Sequence, residues 1–340
     1  MTESSFLSSN LHVVVAPDKF RGTASAAQVA AAIEEAVISR NGTAATLPMA
    51  DGGEGTLEAL GGQNQTSLVT GPLGDLVEAP WRLSGNTAVI EMAQASGLIK
   101  IGGPEFNNAL DATSTGTGEL ILTAVEHGAT RIIVGLGGSA STDGGLGAIE
   151  AMGSPARYRG IEMLVACDVR TRFDDSAKIF APQKGATKAE VKMLDRRLRR
   201  LAQIYQERFG IDVLSLDHAG AAGGLAGGLA ALGARLIDGF DLIADELRLD
   251  ELLDDADLVI TGEGRLDKTS FEGKVVGGVS AYASATGVPI LAVAGQVEAE
   301  VKDRINNISL TEEFDEYLSM AETTQCIKKA VGRFLENFEV

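Results

Sequence analysis

The sequence predicts an α/β protein of two domains, one built on a parallel sheet and interrupted by a second whose sheet is mixed. Three observations lead there. An apolar, β-branched run at residues 11–16 is followed by a polar loop, a helical stretch and a second strand-like run at residues 44–49. Such a strand–helix–strand start needs a crossover and therefore parallel pairing. Between residues 67 and 92 the rhythm changes to short alternating segments divided by Gly-Pro-Leu-Gly and Ser-Gly-Asn turns, a hairpin pattern. Beyond residue 117 the α/β alternation returns and runs to the end of the chain.

Each element has its own signal. After the strand at 11–16, Thr23 or Ser25 is placed to cap a helix reaching about Arg40. Strands follow near residues 44–49, 67–69, 77–83 and 87–92. A helix at 117–127 precedes strands at 131–135 and 163–167, with a helix at 146–152 between them. The charged helix at 188–209 carries a run at 195–200 that reads as a solvated face. Strands at 256–261, 289–293 and 307–310 complete the sheet begun at residue 11. The first domain is thus discontinuous, 11–63 with 250–340, and the mixed-sheet domain occupies 64–249.

Composition narrows the function. The chain has 340 residues, long enough for a substantial core, and 45% hydrophobic against 22% charged residues is the balance of a soluble globular protein. A net charge of −18 argues against nucleic acid or an anionic membrane as partner, since both are bound through basic patches. Two cysteines, Cys167 and Cys326, imply a reducing compartment with no disulfide framework. Residues 1–10 are polar and lack the apolar core of a signal peptide, and no apolar run is long enough to span a membrane. The expected location is the cytoplasm; homo-oligomerisation is left open.

The 41 glycines gather with carboxylates and hydroxyls at strand ends, where open α/β sheets bind ligands. Residues 135–145 read Gly-Leu-Gly-Gly-Ser-Ala-Ser-Thr-Asp-Gly-Gly between a strand and a helix. That arrangement serves either a tight turn or a cradle of amides for an anion. Similar clusters occur at 51–55, 113–119, 219–228 and 262–267. A P-loop is disfavoured: Asp267 stands where its second glycine belongs, and Gly273-Lys274 is followed by Val275. No dinucleotide fingerprint follows a strand.

Acids and cations accompany these loops. Lys19 reads either as a surface lysine or as a cation beside the first loop. Asp168 emerges where the strand ending at Cys167 stops, either as a cap or as a reactive carboxylate. Glu263, Arg265 and Asp267 alternate along one loop, and an ion pair accounts for Arg265 with only one acid. Lys184 stands beside a turn glycine. Carboxylates to orient a hydroxyl and hold Mg²⁺, with cations and amides to absorb charge, are the parts of a phosphoryl transferase.

The chain resembles the bacterial type 1 glycerate kinase family. The likeness is carried by Val14-Val-Ala-Pro-Asp-Lys-Phe-Arg-Gly22, Pro48-Met-Ala-Asp-Gly-Gly-Glu-Gly-Thr56, Gly137-Gly-Ser-Ala-Ser-Thr-Asp-Gly-Gly145 and Val165-Ala-Cys-Asp168. It continues through Phe180-Ala-Pro-Gln-Lys-Gly-Ala186, Ala219-Gly-Ala-Ala-Gly-Gly224 and residues 256–267, with further blocks at 71–74, 89–98 and 113–119 in family order. The resemblance implies a flavodoxin-like domain plus a second α/β domain with the active site in the cleft between them. It implies ATP-dependent phosphorylation of D-glycerate with Mg²⁺, generally to 2-phosphoglycerate, although older usage calls such enzymes 3-kinases. Other readings are a kinase of a related short hydroxy acid, or a catalytically silent protein that binds glycerate or nucleotide for regulation.

On these blocks the expected site has Asp168 as the base on the substrate hydroxyl, with Lys19 and Arg265 as its cationic catalytic partners. Gly137, Gly138, Ser139, Gly144 and Lys184 are expected at the nucleotide. Asp18, Asp51, Gly52, Glu54, Ser114, Gly262 and Glu263 are expected at the substrate, and Asp143 and Asp267 at the metal. Three departures stand out. A short bridge at 154–160 replaces a few dozen family residues, expected on the side of the site. Thr115 stands where an aromatic is common, and Lys19-Phe20-Arg21 varies the first loop.

Overall fold

The computed structural model describes residues 11–338. The polar segment 1–10, read above as no signal peptide, lies outside the described residues. In chain order the strands are β1 (His12–Val15), β2 (Thr43–Thr46), β3 (Gln65–Thr70), β4 (Leu76–Ser84), β5 (Thr87–Glu91), β6 (Arg131–Leu136), β7 (Glu162–Cys167), β8 (Arg235–Asp238), β9 (Leu258–Leu266), β10 (Ile290–Val297) and β11 (Asn307–Ser309). Internal contacts divide the chain into two units, Met1–Ala50 with Ala244–Val340, and Asp51–Ile243. The sequence reading sets these boundaries at 63/64 and 249/250.

The first unit holds a parallel sheet in the order β11-β10-β9-β1-β2. Counted within the unit this is the flavodoxin-like order, whose reversal lies between β1 and β9. Ser25, not Thr23, caps the helix Ala26–Ile38 through a reciprocal box with Gln28. That helix and the helix Thr323–Glu336 bury Ile33, Val37, Ile327 and Val331 in one cluster with Val13, Ile260 and Val293.

The second unit holds a six-stranded sheet, β3-β4-β5-β6-β7-β8, antiparallel from β3 to β5 and parallel beyond. Its core is drawn from the apolar faces of β5 to β7, including Ile90, Ile132, Val134 and Val165, packed under Leu120 and Leu225. The α/β architecture with one parallel and one mixed sheet is therefore present.

Four local expectations change. The strand β8 escapes the sequence because Arg-Leu-Ile-Asp is short and not fully buried. The run at 262–266 is not a loop: β9 continues through Leu266, paired with β10 as far as Val297. The Gly-Ala stretch near 219–228 does not end a strand but makes a 3₁₀ turn, Ala221–Gly224, and the helix Leu225–Ala231. The bridge at 154–160 does not lie beside Asp168. It feeds the amino end of β7, where buried Tyr158 closes it by donating to the Met152 carbonyl at 3.0 Å. Six strand residues, roughly 20 Å at a strand's usual rise, separate that end from Asp168.

Candidate active site

The carboxyl ends of β6 and β7 in the second unit are shaped by close backbone packing. A Cβ on Gly137 would stand 2.6 Å from the Gly53 Cα, so the 51–55 turn can lie against the end of β6 only if residue 137 is glycine. Asp51 steadies that turn by accepting from the Gly53 amide at 3.2 Å, Gly52 is buried within it, and Glu54 is exposed. Buried Glu91, at the end of β5, accepts from the Gly55 and Leu57 amides at 3.2 Å each. Burial holds its carboxyl above the usual range. Sequence reasoning passed over Glu91, although an acid closing an apolar run is the signal that singled out Asp168.

A cavity of about 300 Å³ opens at these strand ends. Gly137, Gly138, Ser139, Lys184 and the exposed Asp168 line it together with the apolar Leu98, Val169 and Phe180. The fold thus brings five of the expected residues to one pocket. Among the described residues the Gly138 and Ser139 amides donate to no protein acceptor. Lys184 is 3% exposed, and its Nζ donates to Ser139 Oγ at 2.7 Å and to the Ser141 carbonyl at 2.6 Å. Burial pulls its ammonium down to about 7, and the Asp143 carboxylate acts in the opposite sense. Asn107, which the sequence did not suggest, ties the two walls together by donating to the Ala140 and Lys184 carbonyls.

Three expected ligand residues turn out to be framework. Asp143 accepts from the Ser114 amide and hydroxyl, both at 2.8 Å, and from the Gly145 and Gly147 amides at 3.1 and 3.3 Å. Ser114 is fully buried and also accepts from the Ala148 amide. The Gly144 amide donates to the Gly223 carbonyl, and its own carbonyl accepts from Tyr205. These bonds cap the helix Leu146–Met152 and seat it on its neighbours. They leave Asp143 poorly suited to a metal and Ser114 out of a ligand's reach.

The first unit has its own polar group at the carboxyl ends of β1 and β9, the strand-order reversal where such sheets bind ligands. The Asp18 amide donates to the Gly262 carbonyl, and Lys19 Nζ lies 3.6 Å from the Asp18 carboxylate. Burial pushes the Glu263 carboxyl up to about 7, while Ser270 and Lys274 act against it. Its Oε1 is buried with no hydrogen-bond partner among the described residues. Arg265 is exposed and ion-paired with Glu298. Asp267 caps the 3₁₀ turn Lys268–Phe271, accepting from the Thr269 amide and hydroxyl at 2.7 Å. That hydroxyl holds its carboxyl below the usual range. Among the described residues no three His, Cys, Asp or Glu side chains converge to hold a metal ion.

Comparison with known proteins decides the family. The description "Glycerate kinase family" matches residues 13–157 and 153–339, nearly the whole chain in two pieces that meet at the short bridge. The chain belongs to the glycerate kinase family. It is 41% identical over 325 residues to a glycerate kinase of Halalkalibacterium halodurans, covering 84% of this chain and 85% of that one. It is 39% identical over 331 residues to the glycerate 2-kinase of Escherichia coli K12, covering 86% and 87%. A crystal structure described as a candidate glycerate kinase 2 from Salmonella typhimurium LT2 superposes with a TM-score of 0.80 at 34% identity. That match covers 96% of this chain and 98% of the other. As a member of the glycerate kinase family the chain is an enzyme, a kinase. No helix among the described residues is long and apolar enough to cross a membrane.

Proposed function

We propose that this kinase transfers the γ-phosphoryl group of ATP to the 2-hydroxyl of D-glycerate, releasing ADP and 2-phosphoglycerate. The observation that carries the reading is the pocket at the ends of β6 and β7, which Gly138, Ser139, Lys184 and Asp168 line together. Phosphoryl transfer depends mainly on positioning and on stabilising charge, and these groups supply both. The 2-position is supported by the name of the E. coli relative, a glycerate 2-kinase. ATP as donor fits a cytoplasmic setting.

In this reading Gly138, Ser139 and Lys184 hold phosphoryl oxygens. Asp168 orients the acceptor hydroxyl and takes its proton as the new oxygen–phosphorus bond forms and the bond to ADP breaks. In a chain of net charge −18, positive charge for the glycerate carboxylate must be supplied locally, and Lys19 at the end of β1 is assigned to it. Arg265 reaches an anion only by giving up Glu298. The residues expected at Mg²⁺ fit it poorly: Asp143 is consumed by four donors, and Asp267 is engaged with Thr269. Mg²⁺ commonly arrives on the nucleotide phosphates with most of its ligands as water, which asks for no protein cage.

A coupled ADP-release assay over a panel of short hydroxy acids, with products resolved by phosphorus NMR, tests the proposal. D-Glycerate should support turnover and yield the 2-phosphate. Formation of 3-phosphoglycerate would overturn the position, and preference for another acid would overturn the substrate.

A further inference from the structure

Among the described residues, Lys184 is a buried cation with no carboxylate in ion-pair contact. Its ammonium contacts two neutral oxygens, Ser139 Oγ and the Ser141 carbonyl, and among the described residues it forms no ion pair. An ammonium in that setting is costly, and the cost is relieved either by loss of the proton or by arrival of an anion. Three neighbouring groups can donate, although the Ser141 carbonyl accepts from Lys184 and the Asp168 carboxylate lines the same cavity. Ser139 Oγ accepts from Lys184, so its own hydrogen is directed elsewhere, and the Gly138 and Ser139 amides have no protein acceptor among the described residues. Lys184 itself has a third N–H beyond its two bonds.

We propose that an anion entering this pocket is bound together with a proton taken up from solvent by Lys184, which then acts with Ser139 as a paired donor to the anion's oxygens. The proposal rests on the reading that the 137–145 loop receives nucleotide phosphate. No covalent bond is made; the buffer gives up the proton and Nζ receives it. Two carboxylates bear on the ammonium. Asp143 favours its charged form electrostatically, while its own lone pairs are engaged by Ser114, Gly145 and Gly147. Asp168 lines the same cavity. On the adjoining segments, Glu105 is exposed and Lys178 is paired with Asp175 and Asp195. With burial holding Lys184 near 7, the empty pocket loses the proton in the neutral range and the filled one regains it.

Calorimetric titration of the full chain with ATP and Mg²⁺ at pH 7.5, in buffers of small and large ionisation enthalpy, reads the proton directly. The expected slope is about half to one proton taken up per ATP bound. Affinity should be level below about pH 7 and fall by up to about tenfold per unit above it. Lys184→Arg keeps the charge and should bind ATP without proton uptake or pH dependence, whereas Lys184→Met should bind weakly throughout. Tight binding with no proton slope in the unmodified protein overturns the coupling and leaves the loop assignment standing. If Lys184→Met and Ser139→Ala both bind ATP as the parent does, the coupling and the loop assignment fall together.

Discussion

Asp143 and Ser114 are bonded twice, the serine's amide and its hydroxyl both reaching the same carboxylate oxygen at 2.8 Å. Twenty-nine positions separate them, and the pair joins the start of the helix Thr115–Glu126 to the glycine loop after β6. Because the Gly145 and Gly147 amides bond the same carboxylate, one side chain sets the shape of the loop beside the pocket.

Asp143→Ala should therefore act on stability first. It strips four donors of their acceptor within a buried site, and unfulfilled donors of that kind are costly. Urea unfolding should show a loss of about 2–4 kcal/mol, unchanged by added Mg²⁺. A variant as stable as the parent, but with a raised Mg²⁺ requirement, would return Asp143 to the role of metal ligand.

Much of this organisation was legible in the sequence. Turn chemistry and β-branched runs located nearly every strand, and the helices at 146–152 and 188–209 have the bounds that the sequence reading assigned them. The acid that ends β7 and the lysine before Gly185 both reach the pocket. What sequence could not supply was the direction in which each polar group spends its hydrogen bonds. Ser114, Asp143 and Ser139 share a hydroxyl-and-glycine context, yet the first two face inward to the frame and only Ser139 borders the cavity. Arg265 likewise found its acid 33 positions away in Glu298 rather than in its own segment.

Glu263 should leave a mark on the pH dependence of stability. Its carboxyl titrates at about 7 in the folded protein against 4.5 for the ordinary group, so folding favours its protonated form. Between those values the folded state binds a proton that the unfolded state has released. Its contribution therefore falls as pH rises from 4.5 to about 7 and is level above. Glu263→Gln keeps the shape without the charge and should be stabilised relative to the parent at pH 8, on the order of 2 kcal/mol, with little difference at pH 4.5. Denaturation curves at the two pH values check this. An equal difference at both would mean that Glu263 is solvated and ordinary.

The two cations expected at the substrate should separate. Lys19→Met is expected to lower kcat/KM for glycerate at least tenfold, the scale of about 1.5–3 kcal/mol for a charge-assisted bond. Arg265→Ala should change it by less than about threefold, because its guanidinium sits in an exposed pair with Glu298 and such pairs are worth little. Steady-state kinetics on both variants decides the assignment. A tenfold loss at Arg265 would show that it leaves Glu298 for the substrate.

Asp168 offers the sharpest division between chemistry and architecture. It follows the buried run Leu164–Cys167, so its backbone is fixed by β7 while its side chain is exposed at the mouth of the pocket. A carboxylate held in that way can orient a hydroxyl and accept its proton without swinging on a loop. General-base assistance typically contributes ~10²–10⁴-fold. Asp168→Asn should lower kcat by that order, with ATP affinity by calorimetry and the melting temperature both close to the parent's. Because the side chain is exposed, a variant that unfolds would reveal a cap whose bonds the strand end requires. A variant that folds and keeps normal kcat would move the proton acceptor elsewhere. Glu263, with a carboxyl titrating near neutrality and one oxygen unpartnered, is then the next residue to replace.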